Sequence, residues 1–173
     1  MVVGLELSGD PRSGSFSTFA GEFKRAQDAG FKVSLHCAET AEQADSQEML
    51  DFKPDRLGHC CFLNNDQIKQ VVDAGIPVEL CPTSNVAATQ CGLVSFLKHL
   101  KEFSRLNHNL VICCDDTLLF NTNISAELFE YAKAVGLYEL EDLKAMLIRN
   151  VDAIFLDGDE FKDELKAEIK DKY

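Results

Sequence analysis

The sequence predicts an α/β chain on a parallel sheet, either an open sheet or part of a (β/α)8 barrel. Two observations carry this. Short apolar runs rich in Val, Ile, Leu and Cys alternate with stretches of helical periodicity, the pattern of strand, helix, strand that builds parallel sheets. Polar residues also collect at the carboxyl end of each run, where parallel α/β folds place their active sites.

The predicted strands are Val2–Leu7, Lys32–His36, Arg56–His59, Pro77–Cys81 and Asn109–Cys114. They are brief and apolar, as buried parallel strands are. After the first comes Phe16, Phe19, Ala20, Phe23, Ala26 and Ala29 at helical spacing, with Gly30 as a stop. Ile68, Val71 and Val72 form a second stripe, capped by Asn64 or Asn65 and ended by Gly75. Leu93, Phe96, Leu97 and Leu100 form a third. Leu128, Ala132 and Val135 lead to Gly136. Leu140, Leu143, Leu147, Val151 and Ile154 follow. Phe161, Leu165 and Ile169 mark a last amphipathic helix with Lys and Glu outside.

The 173 residues are predicted to form a single domain, 1–173, with 46% hydrophobic residues and a net charge of −12. Such acidity opposes binding to nucleic acid and to anionic membranes, leaving a small molecule as the expected partner. No run is long and apolar enough to span a bilayer, and no signal peptide is read at the start. Seven cysteines, Cys37, Cys60, Cys61, Cys81, Cys91, Cys113 and Cys114, show no C-x-x-C spacing. Lying mostly in apolar runs, they read as small core hydrophobes in a reducing, cytoplasmic setting. Neither G-x-G-x-x-G nor a P-loop is present.

The strand ends carry the chemistry. One run ends in His36 with Glu39 three residues on, another in His59. A third leads into Thr83-Ser84-Asn85, a fourth into Asp115-Asp116, and the first into Ser8-Gly9-Asp10. Taken singly, a strand-end histidine is more often scaffolding, and Asp-Asp after a strand is often a helix cap. Together they aim histidines and carboxylates at one mouth. His and Asp are ordinary zinc ligands, zinc lowers the pKa of bound water, and a nearby Glu can move protons. That is the inventory of a metal-dependent hydrolase. His99 and His108 read as surface or scaffold residues.

Five segments, 2–11, 35–39, 55–59, 79–85 and 111–116, resemble the adenosine deaminase family, most closely its adenosine deaminase-like branch acting on N6-methyl-AMP. They occur in family order across almost the whole chain. The resemblance implies a (β/α)8 barrel of TIM type, here incomplete, with about strands 4–8 and their helices: the carboxy-terminal portion of a metal-dependent deaminase. It implies one Zn2+ per complete site, with His36 and Asp115 as ligands. Glu39 would protonate purine N1, and His59 would hold and polarise the attacking water. Asp116 would accept a hydrogen bond from the ring at N7, and the Gly9 N–H would bind N3. The expected reaction is hydrolytic deamination at C6, of N6-methyl-AMP to IMP and methylamine or of adenosine to inosine.

Cys114, Cys60 and Glu6 depart from the family's usual Thr, Gly and Asp. The family's first-strand His-x-His pair, source of two further zinc ligands, has no counterpart here. An inactive truncated fragment, with a binding or regulatory role or none, is therefore the alternative. A related amidohydrolase acting on another amine is a weaker one. The opened barrel predicts self-association or instability through its exposed strand edges.

Overall fold

The computed structural model describes residues 2–87, 93–156 and 158–172. Five strands form one sheet in the order β1-β2-β3-β4-β5: Gly4–Leu7, Lys32–Cys37, Arg56–His59, Val78–Leu80 and Leu110–Ile112. Every pairing is parallel, with Leu5 beside Val33, Leu35 beside Leu57, Leu57 beside Val78 and Leu80 beside Ile112. Sequential parallel strands with intervening helices form an arc of a TIM-type barrel. The expected strands all form, and most are shorter than their apolar runs.

The two sheet faces differ because strand side chains alternate. Val33, Leu35, Leu57, Val78, Leu80, Leu110 and Ile112 are buried in the core. Each such burial contributes about 1.5–3 kcal/mol. The other face carries Glu6, Ser34, His36, Arg56 and Glu79, the side chains that line two clefts on the sheet. Arg56 and Glu79 form an ion pair, and Ser34 Oγ donates to Glu79 at 3.5 Å. Arg56 also lies over the Phe155 ring at 3.8 Å and donates to the Ala153 carbonyl at 2.8 Å.

The first helical stripe divides into a 3₁₀ turn, Phe16–Thr18, and α1, Ala20–Asp28, with Gly30 at φ +89° beyond it. An unexpected helix follows, α2 at Gln43–Phe52. Its Met49 and Leu50 are buried, but its sequence shows little apolar periodicity. In α3, Asn65–Ala74, Asn64 is the cap: its side chain accepts from Asp66 and Gln67 N–H while Gln67 reaches back. That reciprocal arrangement satisfies the helix's otherwise orphaned donors. Two short helices were also not expected, α4 at Pro82–Ala87 and α6 at Thr117–Phe120.

Helix α5, Leu93–Arg105, buries Phe96, Leu100 and Phe103. Cys91 and the side chains of Leu93 and His99 lie outside the described residues. Helix α7, Ile124–Val135, ends at Gly136 as expected. Helix α8 stops at Asn150, where a 3₁₀ turn, Val151–Ala153, takes over, so the predicted stripe to Ile154 is not one helix. Helix α9, Asp159–Lys172, has a largely solvated surface. His108 proves to be scaffold: it is buried, and its Nε2 lies 2.8 Å from the Ile76 carbonyl.

Candidate active site

The carboxyl ends of the five strands open into one cleft of about 650 Å³, a size typical of small-molecule sites. Gly9, His36, Glu39, His59, Asp115 and Asp116 all line it. The structure therefore brings together every site residue expected from sequence.

His36 is the penultimate residue of β2 and His59 ends β3, and their rings meet edge to face with centroids 4.5 Å apart. His59 Nδ1 lies 2.8 Å from Asn85 Oδ1, and its Nε2 lies 3.2 Å from His36 Nδ1. An amide oxygen only accepts, so His59 Nδ1 carries a hydrogen toward Asn85. In neutral His59 that leaves the Nε2 lone pair facing the cleft. Glu39 Oε1 approaches His36 Nδ1 at 3.4 Å and His59 Nε2 at 3.9 Å. Glu6 reaches His36 Nε2 at 3.4 Å.

Burial opposes charge on His36, but the Glu39 hydrogen bond and the carboxylates of Glu39, Glu6 and Glu79 outweigh it. The His36 pKa therefore lies above the ordinary imidazole value. Glu79 is also raised, first by burial, with the Arg56 charge acting against it and the neighbouring Glu6 carboxylate adding to it.

Asp115 and Asp116 follow β5. Ser84 Oγ donates to Asp115 Oδ2 at 2.5 Å, and Asp115 Oδ1 accepts from the Asp116 N–H at 2.9 Å. Asp116 occupies the cap position of α6 but makes no side-chain cap bond, so capping does not account for it. The backbone is strained here. Ala38, His59, Cys60 and Asp115 all have φ between 54° and 61°. Non-glycine residues held in the left-handed region cost roughly 1–3 kcal/mol each and cluster at functional sites.

The site also contains residues to which sequence reasoning gave no role. Asn85 and Ser84, both buried, hold His59 and Asp115 across 26 and 31 positions. The available signals were their place after β4 and in the 79–85 segment. Cys81 and Cys113, expected as core filler, line the cleft instead. Their thiols hydrogen-bond; this bond and then burial push Cys81 up, while the same bond pulls Cys113 down.

Among the described residues, two donor trios could hold a metal ion: His36, Glu39 and His59, and His59, Cys81 and Asp115. Within each, the ligand atoms lie within 4.8 Å of one another. The nitrogen, oxygen and sulfur donors suit zinc. His59 is common to both trios, whereas His36 and Asp115 fall in different ones.

Residues 1–172 match the adenosine deaminase family. The chain belongs to the adenosine deaminase family. It is 35% identical over 165 residues to the N6-mAMP deaminase of Arabidopsis thaliana, covering 95% of this chain and 46% of that protein. The apo structure of the Arabidopsis N6-methyl-AMP deaminase superimposes with a TM-score of 0.91 at 34% identity, covering 98% of this chain and 50% of that one. A crystal structure of Arabidopsis ADAL complexed with IMP gives 0.90 at 34% identity, covering 98% and 49%. The chain thus spans about half the length of the relatives it matches. Adenosine deaminase relatives are aminohydrolases. No helix among its described residues is long and apolar enough to cross a membrane.

The close packing of β3 against His36 is testable. A Cβ on Gly58 would lie 2.8 Å from His36 Cδ2. Gly58→Ala is expected to turn the His36 ring and destabilise the fold by about 1–3 kcal/mol, as overpacking does. Urea unfolding and the His36 ring resonances would both report it. Unchanged values for both would show that the site yields freely.

Proposed function

We propose that this chain carries the carboxy-terminal catalytic half of a zinc-dependent purine deaminase whose preferred substrate is N6-methyl-AMP. The observation that carries this reading is the meeting of His36, Glu39 and His59 at the mouth of the parallel sheet. The N6-methyl-AMP deaminases among the relatives point to the substrate.

Zinc, with His36 and Asp115 as proposed ligands, would supply Lewis-acid activation of the attacking water. His59, oriented by Asn85, accepts a hydrogen from that water through Nε2 and sets its approach to C6. Glu39 delivers a proton to N1 as the water oxygen bonds to C6. The C6–N6 bond then breaks: of the two protons shed by the water, one leaves on methylamine and the other restores Glu39. The balance is N6-methyl-AMP plus water giving IMP plus methylamine; adenosine would give inosine plus ammonia. The Gly9 N–H donates to N3. Asp116 faces N7, where one proton has to lie between two acceptors. The reading places the chain in the cytosol, whose reducing conditions suit its six described free cysteines.

The test offers N6-methyl-AMP and adenosine side by side to the zinc-supplemented chain. Faster turnover of N6-methyl-AMP supports the proposal, and preference for adenosine changes the substrate. No turnover until a complementary amino-terminal half is added would mean that this chain alone is the inactive fragment.

Self-association is part of the same reading. Among the described residues, β1 pairs only with β2 and β5 only with β4. Unpaired edges recruit further strands. Leu5 on β1, and Leu118 and Leu119 just beyond β5, are exposed. Sedimentation is expected to give a mass above the 19.2 kDa of one chain, rising with concentration. A monodisperse monomer at all concentrations would contradict this.

A further inference from the structure

Cys81 and Cys113 stand side by side at the carboxyl ends of neighbouring strands. Leu80 of β4 pairs with Ile112 of β5, and the next residues along are Cys81 and Cys113. The Cys113 N–H donates to the Leu80 carbonyl at 2.9 Å, so the two strands are still bonded at this step. Adjacent strands lie about 4.8 Å apart, within the roughly 4.4–6.8 Å between Cα atoms that a disulfide bridges. Both side chains line the cleft, and their thiols hydrogen-bond to each other. Neither has a part in the deamination chemistry above.

Access separates this pair from another. Cys37 and Cys60 also bring their thiols into contact, but they are 0% and 1% exposed in the core. Cys113 is partly exposed, and Cys81 is the more buried of the cleft pair. A small oxidant entering the cleft therefore meets Cys113 first.

We propose that Cys81 and Cys113 form a redox-active dithiol in the cleft wall, closed to a disulfide by hydroperoxides and reopened by thiols. The Cys113 sulfur attacks the terminal peroxide oxygen, the O–O bond breaks, and an alcohol leaves, or water where the oxidant is hydrogen peroxide. Cys113 is then a sulfenic acid. The Cys81 sulfur attacks the Cys113 sulfur, the S–O bond breaks, and water leaves with the Cys81 proton. Two thiols and one hydroperoxide thus give one disulfide, one alcohol and one water, with two electrons passing from sulfur to the peroxide. Two molecules of a thiol such as glutathione reverse the closure by exchange through a mixed disulfide. Transient disulfides of this kind are the ones found in reducing compartments.

The experiment treats the reduced, folded full chain with hydrogen peroxide, then unfolds it, alkylates the remaining thiols and maps the peptides. The expected product has lost two hydrogens, with Cys81 joined to Cys113 and both absent from the alkylated set, while Cys37 and Cys60 are alkylated in full. Glutathione is expected to restore both cleft thiols. In Cys81→Ser, oxidation should stop at the Cys113 sulfenic acid, which dimedone traps; in Cys113→Ser, Cys81 should form no disulfide. The parent's peptide map is independent of any variant's folding. A disulfide joining Cys113 to another cysteine, oxidation of Cys37 and Cys60 ahead of the cleft pair, or cleft thiols that stay free overturns the proposal. None of these readouts uses turnover or a metal, so the deaminase reading stands or falls separately.

Discussion

Glu39→Gln is expected to lower kcat/KM for N6-methyl-AMP by about 10²–10⁴-fold, the range for loss of a positioned general acid or base. Glutamine matches glutamate in size and keeps an oxygen acceptor. It cannot release a carboxyl proton to the purine ring. The side chain is 17% exposed and stands 3.4 Å from His36 and 3.9 Å from His59, so its replacement should leave the pocket's shape unchanged. Thermal stability should therefore move little. Because Glu39 also belongs to a donor trio, zinc affinity has to be measured beside turnover. Lost turnover at unchanged zinc affinity assigns Glu39 to proton transfer. Turnover within tenfold of the parent would remove it from that role, and a parallel loss of zinc would make it a ligand.

Glu127→Ala is expected to destabilise the fold by about 3 kcal/mol, because two donors to a buried carboxylate lose their acceptor. Glu127 is 0% exposed. It accepts from the Thr83 N–H at 2.9 Å and from Thr122 Oγ at 2.5 Å. Thr83 belongs to α4, the same short helix that holds His59 and Asp115 through Asn85 and Ser84. The loss should therefore reach the site, broadening the His59 ring signals as well as lowering the urea midpoint. Glu127→Gln retains an acceptor and should recover part of the stability. A midpoint shift worth less than about 1 kcal/mol would show that α4 is held by packing alone.

Much of this architecture was legible because strand and cap signals are local. Asn64 with Gln67 three residues on is a cap that any reader of the chain can find, and Gly75 and Gly136 end their helices at positive φ. Helix α2 was not legible. Its buried Met49 and Leu50 lack the repeat that marks an amphipathic face, and its helicity comes from packing against its neighbours. Helices α4 and α6 span six and four residues, too short for periodicity to register. The last apolar stripe misled for the opposite reason: Val151 and Ile154 keep the spacing, but the backbone turns at Asn150.

The sequence by itself determined the parallel sheet, its five strands and the gathering of His36, Glu39, His59, Asp115, Asp116 and Gly9 at one mouth; the strand order came from the structure. Alternation within strands and position at strand ends are set by a few neighbouring residues. Tertiary structure alone decided which nitrogen of His59 faces the cleft, that Ser84 and Asn85 hold Asp115 and His59, that Glu127 anchors α4, and that Cys81 lines the site rather than the core. Each of these depends on contacts between residues 26 to 44 positions apart or on a strained backbone angle. No local pattern encodes such contacts; they exist only once neighbouring strands have brought distant residues within hydrogen-bond reach.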